Sequence, residues 1–202
     1  MVLRALRPFV AHPDVARVVL VLPAPDAAAP PEFLRGLGGA ALLVVAGGAE
    51  RADSVVAGLA ALGPECVTVL VHDAARPFVE RAVIDAVIAH ARAGEGAVAA
   101  VRVSDTLKEA AADDATRVAR TISRDRLWRA QTPQGFPRAV LEQAYAAAYA
   151  VAAAEAGAAT DDAALVERTG VVIRLVPDSP RNLKVTSPED LALAELLAGR
   201  GA

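Results

Sequence analysis

The stretch "VLVHDAARPF", residues Val69–Phe78, joins an apolar run to an acid and a base. Its apolar half is typical of a strand that is buried on both faces of a sheet. Asp73 and Arg76 follow at the end of that strand, with the small residues Ala74 and Ala75 between them. Because ligands of open α/β sheets bind beyond the carboxyl ends of the strands, this stretch predicts a layered sheet with a polar site at its edge.

Similar apolar runs alternate with alanine-rich stretches along the whole chain. The runs that we predict to be strands are Ala16–Leu22, Ala41–Ala46, Cys66–His72, Gly96–Val103 and Val171–Val176. The stretches that we predict to be helices are Arg51–Leu62, Arg81–Ala93, Pro137–Ala154, Asp161–Arg168 and Ser187–Leu197. This alternation predicts an α/β fold with a mostly parallel sheet, in a single domain over residues 1–202.

Composition narrows the class of protein. The chain has 202 residues, of which 54% are hydrophobic, enough for one sizeable core. A formal net charge of −3 with mixed signs argues against a general nucleic-acid binder. We see neither an apolar run of membrane-spanning length nor a signal-peptide pattern at the start. The single cysteine, Cys66, fits a reducing compartment, so we expect a cytoplasmic protein without a membrane partner.

One segment, Ser104–Arg129, breaks the alternation of strands and helices. Its parts "DTLKEA" and "VARTIS" flank the acidic turn "AADDAT". This pattern predicts a two-stranded arm at residues 104–130. An isolated hairpin is marginal in water, so we expect the arm to pack either on another subunit or on its own domain.

The residues after the Val69 strand have properties suited to a ligand site. A carboxylate at Asp73 can hold a divalent cation or a ribose hydroxyl, and Ala74 and Ala75 let a ligand approach the backbone. The planar fork of donors on Arg76 can reach a phosphate. Two structural alternatives stay open, since Asp73 can also cap a helix that begins near Val79 or pair with Arg76.

A second junction of strand and helix is "AGGAERADSV", residues Ala46–Val55. We expect Gly47 and Gly48 to expose backbone N–H groups beside a helix start, which favours anions or polar ligand edges. Arg51 and Ser54 would point toward the same opening. A plain tight turn is the alternative. The stretch is not a GxGxxG fingerprint, so hydride transfer loses its main support.

Three later stretches are also polar. We predict that "RAQTPQGFP", Arg129–Pro137, is a rigid polar segment in which Gly135 permits a turn. "TDDAALVERTG" predicts a helix capped by Thr160 with two acids in its first turn. Lys184 precedes the last helix and is either a solvated lysine or a phosphate ligand. The histidines show no metal-ligand spacing and are interpreted as structural: His12, His72 and His90.

Taken together, these stretches resemble the 2-C-methyl-D-erythritol 4-phosphate cytidylyltransferase family over nearly the whole chain. The matching stretches, in order, are "GGAERADSV", "VHDAARPF", "SDTLKEA", "TISRDRLWRAQTPQGFP", "TDDAALVERTG" and "NLKVTSPEDLALAE". The resemblance implies a Rossmann-like nucleotidyltransferase fold with a β-arm exchanged across a homodimer. It implies that the substrates are CTP and a sugar-alcohol phosphate, with Mg²⁺ as cofactor and pyrophosphate as product.

The resemblance also implies roles for residues around the nucleotide. It places Asp73 near the ribose and Mg²⁺, and the backbone of Ala74 against the ribose. Gly48, Arg51 and Ser54 match the residues around the cytosine.

Further roles concern the second substrate. Arg124, from the partner's arm, and Lys184 match the catalytic pair that grips the methylerythritol phosphate. Thr106 and Thr132 match hydroxyls that line its pocket, and Arg76 faces the same side.

The chain departs from the family pattern at its beginning. Family members start with a strand, a glycine-rich loop carrying an arginine, and a Pro-Lys-Gln segment, whereas "MVLRALRPFVAHPDV" matches the helix that follows. We therefore expect a sheet without its first strand and little cytidylyl transfer by these 202 residues. Three functions stay open: transfer to methylerythritol phosphate, transfer to another polyol phosphate such as ribitol 5-phosphate, and a non-catalytic dimerising or nucleotide-binding homologue.

Overall fold

The computed structural model of the chain describes residues 1–34, 36–152 and 161–199. Strands and helices alternate through most of it. The elements in chain order are α1 (Val2–Val10), β1 (Arg17–Leu22), α2 (Ala24–Ala28), a 3-10 helix (Glu32–Leu34), β2 (Ala41–Ala46), α3 (Arg51–Ala60), β3 (Thr68–Val71), α4 (Arg81–Arg92), β4 (Gly96–Arg102), β5 (Leu107–Ala111), β6 (Asp114–Ile122), β7 (Trp128–Pro137), α5 (Arg138–Ala152), α6 (Asp162–Glu167), β8 (Ile173–Pro177) and α7 (Pro188–Gly199).

The five predicted strands and the five predicted helices are confirmed, with ends that differ by one or two residues. The predicted end of the helix at Ala154 lies outside the described residues, as does the predicted cap Thr160. Within the described part, Asp161 caps α6, because its side chain accepts a hydrogen bond from the Ala164 N–H.

Four strands form the main sheet, in the order β3-β7-β4-β8. β4 and β8 are parallel, whereas β7 runs antiparallel to both β3 and β4. The segment Arg129–Pro137, which was not among the predicted strands and in which Gly135 was expected to permit a turn, belongs to β7. Gly135 lies inside the strand, where a Cβ atom would sit 2.5 Å from Val87 Cγ1, so the glycine lets α4 approach the sheet closely.

The remaining strands of the domain body, β1 and β2, form a separate parallel pair. A cavity of about 570 Å³ separates β1 from β3 and is lined by both strands. In the described part of the chain, β1 pairs only with β2 and β3 only with β7. Leu59 of α3 and Phe9 of α1 also line this cavity. The strands of the domain body are thus divided between two separate sheets.

The core lies on both faces of the main sheet. Phe136, Leu141 and Val166 centre one apolar cluster, and Ile84 and Val87 of α4 centre another. Burying a side chain of this size contributes about 1.5–3 kcal/mol. The sheet is thus covered by helices on both sides, which explains why the sequences of most of its strands are nearly continuous apolar runs.

The predicted two-stranded arm is confirmed as the antiparallel pair β5–β6, with a turn at residues 112–113. Nearly all of its residues are exposed, and the side chain of Val118 remains 55% accessible. Arg120 and Glu109 form an ion pair across the two strands. Among the described helices, none has both the length and the apolarity needed to span a membrane.

Candidate functional site

The candidate site is centred on Asp73, just beyond the carboxyl end of β3. Three cations surround its carboxylate, at distances of 3.0 Å for Lys184 Nζ, 3.6 Å for Arg76 Nε and 4.0 Å for Arg51 Nε. These residues come from three separate stretches of the sequence. The structure therefore brings together four of the residues that the sequence analysis assigned to nucleotide or sugar-phosphate binding.

Charge dominates the chemistry of this group. Burial of Asp73 raises its pKa, but the hydrogen bond and charge of Lys184, with the charges of Arg51 and Arg76, outweigh burial and lower the pKa below its ordinary value. The carboxylate therefore stays ionised at neutral pH. Three cations face Asp73 and one of them, Arg51, is also paired with Asp162, so an excess of one positive charge remains over these two acids, which suits a phosphate ligand.

The loop that carries Asp73 is clamped onto β7. The Asp73 N–H donates to Thr132 Oγ1 at 3.0 Å. The Thr132 hydroxyl donates to His72 Nδ1, also at 3.0 Å, because the neutral ring carries its one proton on Nε2, which faces the Arg76 carbonyl. His72 Nε2–H then donates to the Arg76 carbonyl at 3.0 Å. Burial lowers the pKa of His72 to about 4, so the ring is neutral at pH 7. Thr132 is buried, and its role in lining the sugar-phosphate pocket stays a prediction.

Lys184 reaches Asp73 because its own segment is fixed to the same loop. The Val185 N–H donates to the Ala75 carbonyl at 2.9 Å. Arg76 Nη1 donates to the Asn182 carbonyl at 2.8 Å. Asn182 is fully buried. From the sequence it was considered only as a polar neighbour of Lys184, and its position two residues before that lysine gave no further signal. Of the two structural alternatives for Asp73, the pairing with Arg76 is present, whereas helix capping is absent because α4 begins at Arg81 with Glu80 as its cap.

The glycine turn before α3 differs from the expectation in one respect. The Gly47 N–H donates to the Leu22 carbonyl at 2.8 Å, so this group is not exposed to a ligand. A Cβ atom on Gly47 would lie 2.6 Å from Ser54 Oγ, and one on Gly48 would overlap Asp53. The glycines are needed because the turn runs directly against the first turn of α3, which places Gly47 beside Ser54 and Gly48 beside Asp53.

Arg51 is held by an acid that the sequence analysis had assigned to the first turn of a helix. Asp162 is fully buried and binds Arg51 through two contacts, Nη1–Oδ1 at 3.2 Å and Nη2–Oδ2 at 2.6 Å. The Tyr145 hydroxyl donates to the same carboxylate. Burial lowers the pKa of Arg51, but the hydrogen bond and charge of Asp162 outweigh burial and raise it. Only Asp161 of the two acids caps the helix.

Two predicted site residues lie on the arm. Arg124 donates to the Ser104 carbonyl at the base of the arm, and Thr106 is exposed immediately before β5. Within the described ranges, neither residue forms a hydrogen bond or an ion pair with the Asp73 group. Their predicted contact with the sugar phosphate depends on where the arm packs and stays a prediction.

The other histidines keep their structural interpretation. His12 lies within reach of Asp14 and Asp85, a grouping with the composition of a metal site. However, His12 Nε2 contacts Asp85 Oδ1 at 2.8 Å, and its Nδ1 accepts from the Asp14 N–H at 3.1 Å. Both ring nitrogens are therefore already engaged. His90 contacts Glu95 at 2.9 Å.

Comparisons with known proteins give a consistent result. A sequence model of the 2-C-methyl-D-erythritol 4-phosphate cytidylyltransferase family matches residues 1–200. The bifunctional IspD/IspF enzyme of Anaeromyxobacter dehalogenans is 47% identical over 96% of this chain and 49% of its own length. The 2-C-methyl-D-erythritol 4-phosphate cytidylyltransferase of Salinibacter ruber is 43% identical over 98% of this chain and 80% of its own.

Solved structures are also similar. The crystal structure of 2-C-methyl-D-erythritol 4-phosphate cytidylyltransferase from Thermus thermophilus has a TM-score of 0.80 and 37% identity, over 98% of this chain and 89% of that one. This likeness confirms the α/β nucleotidyltransferase fold. The present chain spans about half the length of the bifunctional relatives that it matches.

Proposed function

We propose, since the chain belongs to the 2-C-methyl-D-erythritol 4-phosphate cytidylyltransferase family, that it transfers the cytidylyl group of CTP to 2-C-methyl-D-erythritol 4-phosphate. The products are 4-diphosphocytidyl-2-C-methyl-D-erythritol and pyrophosphate. The observation that carries the proposal is the ionised Asp73 ringed by Lys184, Arg76 and Arg51 at the carboxyl edge of the sheet. In this reaction a phosphate oxygen of the sugar bonds to the α-phosphorus of CTP, and the bond from that phosphorus to pyrophosphate breaks.

The reaction joins two anions, so it depends on positioning and on neutralisation of charge. Lys184 is the more accessible of the two cations close to Asp73, with 45% of its side chain exposed against 12% for Arg76. We assign Lys184 to the phosphate of the sugar substrate. Arg76, which is tied to Asn182, holds the loop and adds positive charge on the same side.

A divalent metal is typical of this class of enzyme, and we propose Mg²⁺ with Asp73 as its protein ligand. Mg²⁺ commonly binds one or two carboxylates together with substrate phosphates. Asp73 fits this role because Lys184 contacts Oδ2, whereas Oδ1 has Arg51 only at 4.0 Å. When bound, the ion would neutralise charge on the triphosphate. Asp73→Asn should raise the Mg²⁺ concentration needed for half-maximal activity, and an unchanged metal dependence would contradict this role.

The remaining roles extend the same proposal to the rest of the site. The residues that we assign to CTP are Gly48, Arg51, Ser54, Asp73 and Ala74. The residues that we assign to the sugar phosphate are Arg76, Thr106, Arg124, Thr132 and Lys184. Because Arg124 and Thr106 lie on or beside an exposed hairpin, we propose a homodimer in which the arm of one subunit reaches the site of the other. We also propose a cytoplasmic location, because Cys66 is a free thiol.

The proposal is tested by pyrophosphate release from CTP with either methylerythritol phosphate or ribitol 5-phosphate as acceptor. Two proteins are compared: the 202-residue chain, and a version preceded by a strand, a glycine-rich loop and a Pro-Lys-Gln segment. We expect turnover with methylerythritol phosphate to be at least about 10²-fold faster in the longer version, because loop N–H groups and cations stabilise the developing charge.

Each outcome of this assay bears on one of the three functions. A preference for ribitol 5-phosphate would replace the proposed acceptor. Failure of the longer version with both acceptors would favour a non-catalytic homologue. Equal turnover by the two versions would contradict the role that we give to the loop.

A further inference from the structure

Asp162 is paired with Arg51, a neighbour of Asp73, and helix capping does not explain this pairing. Asp162 has no exposed surface, although it is the first residue of α6, where acids usually face solvent. Its carboxylate receives both terminal nitrogens of Arg51 and the Tyr145 hydroxyl. The acid therefore uses its hydrogen-bonding capacity on residues outside its own helix.

The sheet fixes the direction in which Asp162 points. Gln134 of β7 is 1% exposed and anchors the start of α6 through both ends of its amide. Its Nε2 donates to Asp161 Oδ2 at 2.9 Å, and its Oε1 accepts from the Ala163 N–H at 3.0 Å. Asp161 accepts the Ala164 N–H in the same turn. Asp162, between these anchored residues, is consequently held toward Arg51.

Arg51 lies between two carboxylates and is bound closely to only one of them. It contacts Asp162 at 2.6 Å but remains 4.0 Å from Asp73 Oδ1. Asp73 Oδ2 already contacts Lys184 at 3.0 Å. A second close cation on Oδ1 would leave Asp73 without a free oxygen for a metal ion.

We propose that Asp162 is a positioning residue that holds Arg51 away from Asp73, so that Asp73 Oδ1 stays available to a divalent cation. Besides Asp162, Asp73 is the carboxylate of the described residues whose charge acts on Arg51, so loss of the Asp162 charge leaves Arg51 attracted to Asp73. Asp162 then acts on the metal through Arg51, without touching the metal or the nucleotide. This inference rests on the proposed function, because it takes from it the metal-binding role of Asp73.

The test measures binding of Mn²⁺, as a paramagnetic probe for Mg²⁺, to the 202-residue protein at a CTP concentration that saturates each variant. Asp162→Asn keeps the shape of the side chain and removes its charge. We expect this variant to bind Mn²⁺ about tenfold or more weakly, since charges a few ångströms apart interact strongly in a partly buried site. Asp73→Asn shows how far Mn²⁺ binding falls when the proposed ligand itself is removed. Asp85→Asn removes an acid that is paired with buried His12, and this matched control should bind Mn²⁺ as the unsubstituted protein does.

The double variant Asp162→Asn with Arg51→Gln separates positioning from simple loss of structure. Removing the displaced cation should restore Mn²⁺ binding to within about threefold of the unsubstituted protein, while CTP binding stays weak because Arg51 is gone. A purely structural role for Asp162 predicts instead that the double variant binds Mn²⁺ no better than the single one. That result would overturn the inference.

Tyr145→Phe covers the case in which Asp162→Asn does not fold, as judged by its thermal unfolding. It removes a hydrogen bond to Asp162 but no charge, and we expect a smaller weakening of Mn²⁺ binding in the same direction. Unchanged Mn²⁺ binding in folded variants of Asp162 and Tyr145, in a protein whose longer version releases pyrophosphate, contradicts this inference alone. Absence of both Mn²⁺ binding and pyrophosphate release contradicts the proposed function as well.

Discussion

The Asp73 group and the β5–β6 arm both carry candidate ligands, but they are held in different ways. Around Asp73, each cation is fixed by contacts from another part of the domain, as Asn182 fixes Arg76 and Asp162 fixes Arg51. The arm is exposed along both strands, and among the described residues the side chain of Arg124 forms its hydrogen bond with the Ser104 carbonyl at the base of the arm. The domain therefore preorganises the Asp73 half of the proposed site, whereas the half proposed on the arm depends on what covers the arm.

The largest expected effect is on the arm. Removing its tip, residues Ala111–Thr116, should convert the proposed homodimer into a monomer, because a lone hairpin is marginal in water and we propose that the partner subunit covers exposed Val118. Light scattering of the intact and shortened proteins at micromolar concentration measures the change. A monomeric mass for the intact chain would contradict the proposal that a second subunit covers the arm, because the arm would then be a surface hairpin of a single domain.

The next effect compares one cation from each region. Lys184→Ala and Arg124→Ala should each weaken binding of the sugar phosphate by about 10- to 100-fold, since hydrogen bonds to charged groups contribute about 1.5–3 kcal/mol. CTP binding should change much less. Calorimetric titration of both ligands into the longer version of the protein gives the two values, and equal losses for both ligands would contradict the assignment.

A smaller effect concerns the hydrogen bonds through which Thr132 and His72 hold the loop that carries Asp73. Burial lowers the pKa of His72 to about 4, so the unfolded chain binds a proton at higher pH than the folded one. Stability should therefore be complete above about pH 6.5 and fall as the pH drops toward 4, by about 2 kcal/mol between pH 7.5 and 5.

Urea unfolding of His72→Gln at the two pH values checks this expectation, because glutamine takes up no proton. His90→Gln, with a ring that is 40% exposed, is the matched control and should keep the pH dependence of the unsubstituted protein. The same loss of stability in His72→Gln would show that other groups cause it.

The smallest effect is again on the arm. Arg120→Gln breaks the ion pair with Glu109, and both side chains are largely exposed, at 70% and 46%. Exposed ion pairs contribute little to stability, so the thermal unfolding midpoint should not change measurably. A clear decrease would show that the arm is held more firmly than its exposure indicates.

Prediction from sequence succeeded where a residue's neighbours in the chain determine its structure. Apolar runs located the strands, and the paired "DTLKEA" and "VARTIS" segments located the arm. β7 was missed because its glutamines and prolines are atypical of a central strand. Gln131 and Gln134 are buried only because Asn182 and Asp161, far away in the chain, accept their hydrogen bonds.

The site residues likewise divide into those that could be identified from their neighbours in the chain and those that could not. The carboxyl end of β3 could be identified as a ligand edge from the pattern alone, and Lys184 became a candidate mainly through the family resemblance. Asp162 could not be recognised, because two acids at a helix start are explained by capping, and its partner Arg51 is 111 positions away. Such pairs become visible only when the fold has brought them together.

The antiparallel course of β7 also has a consequence for biosynthesis. β3 pairs only with β7 in the described chain, and partners such as Val71 and Gln134 are 63 positions apart. A ribosome must therefore release most of the polypeptide before β3 acquires a neighbour, whereas β1 and β2 can pair much earlier. Pairings between distant segments slow folding and prolong the exposure of unpaired edges. The nascent protein should thus rely on chaperones mainly while residues 68–137 are being synthesised.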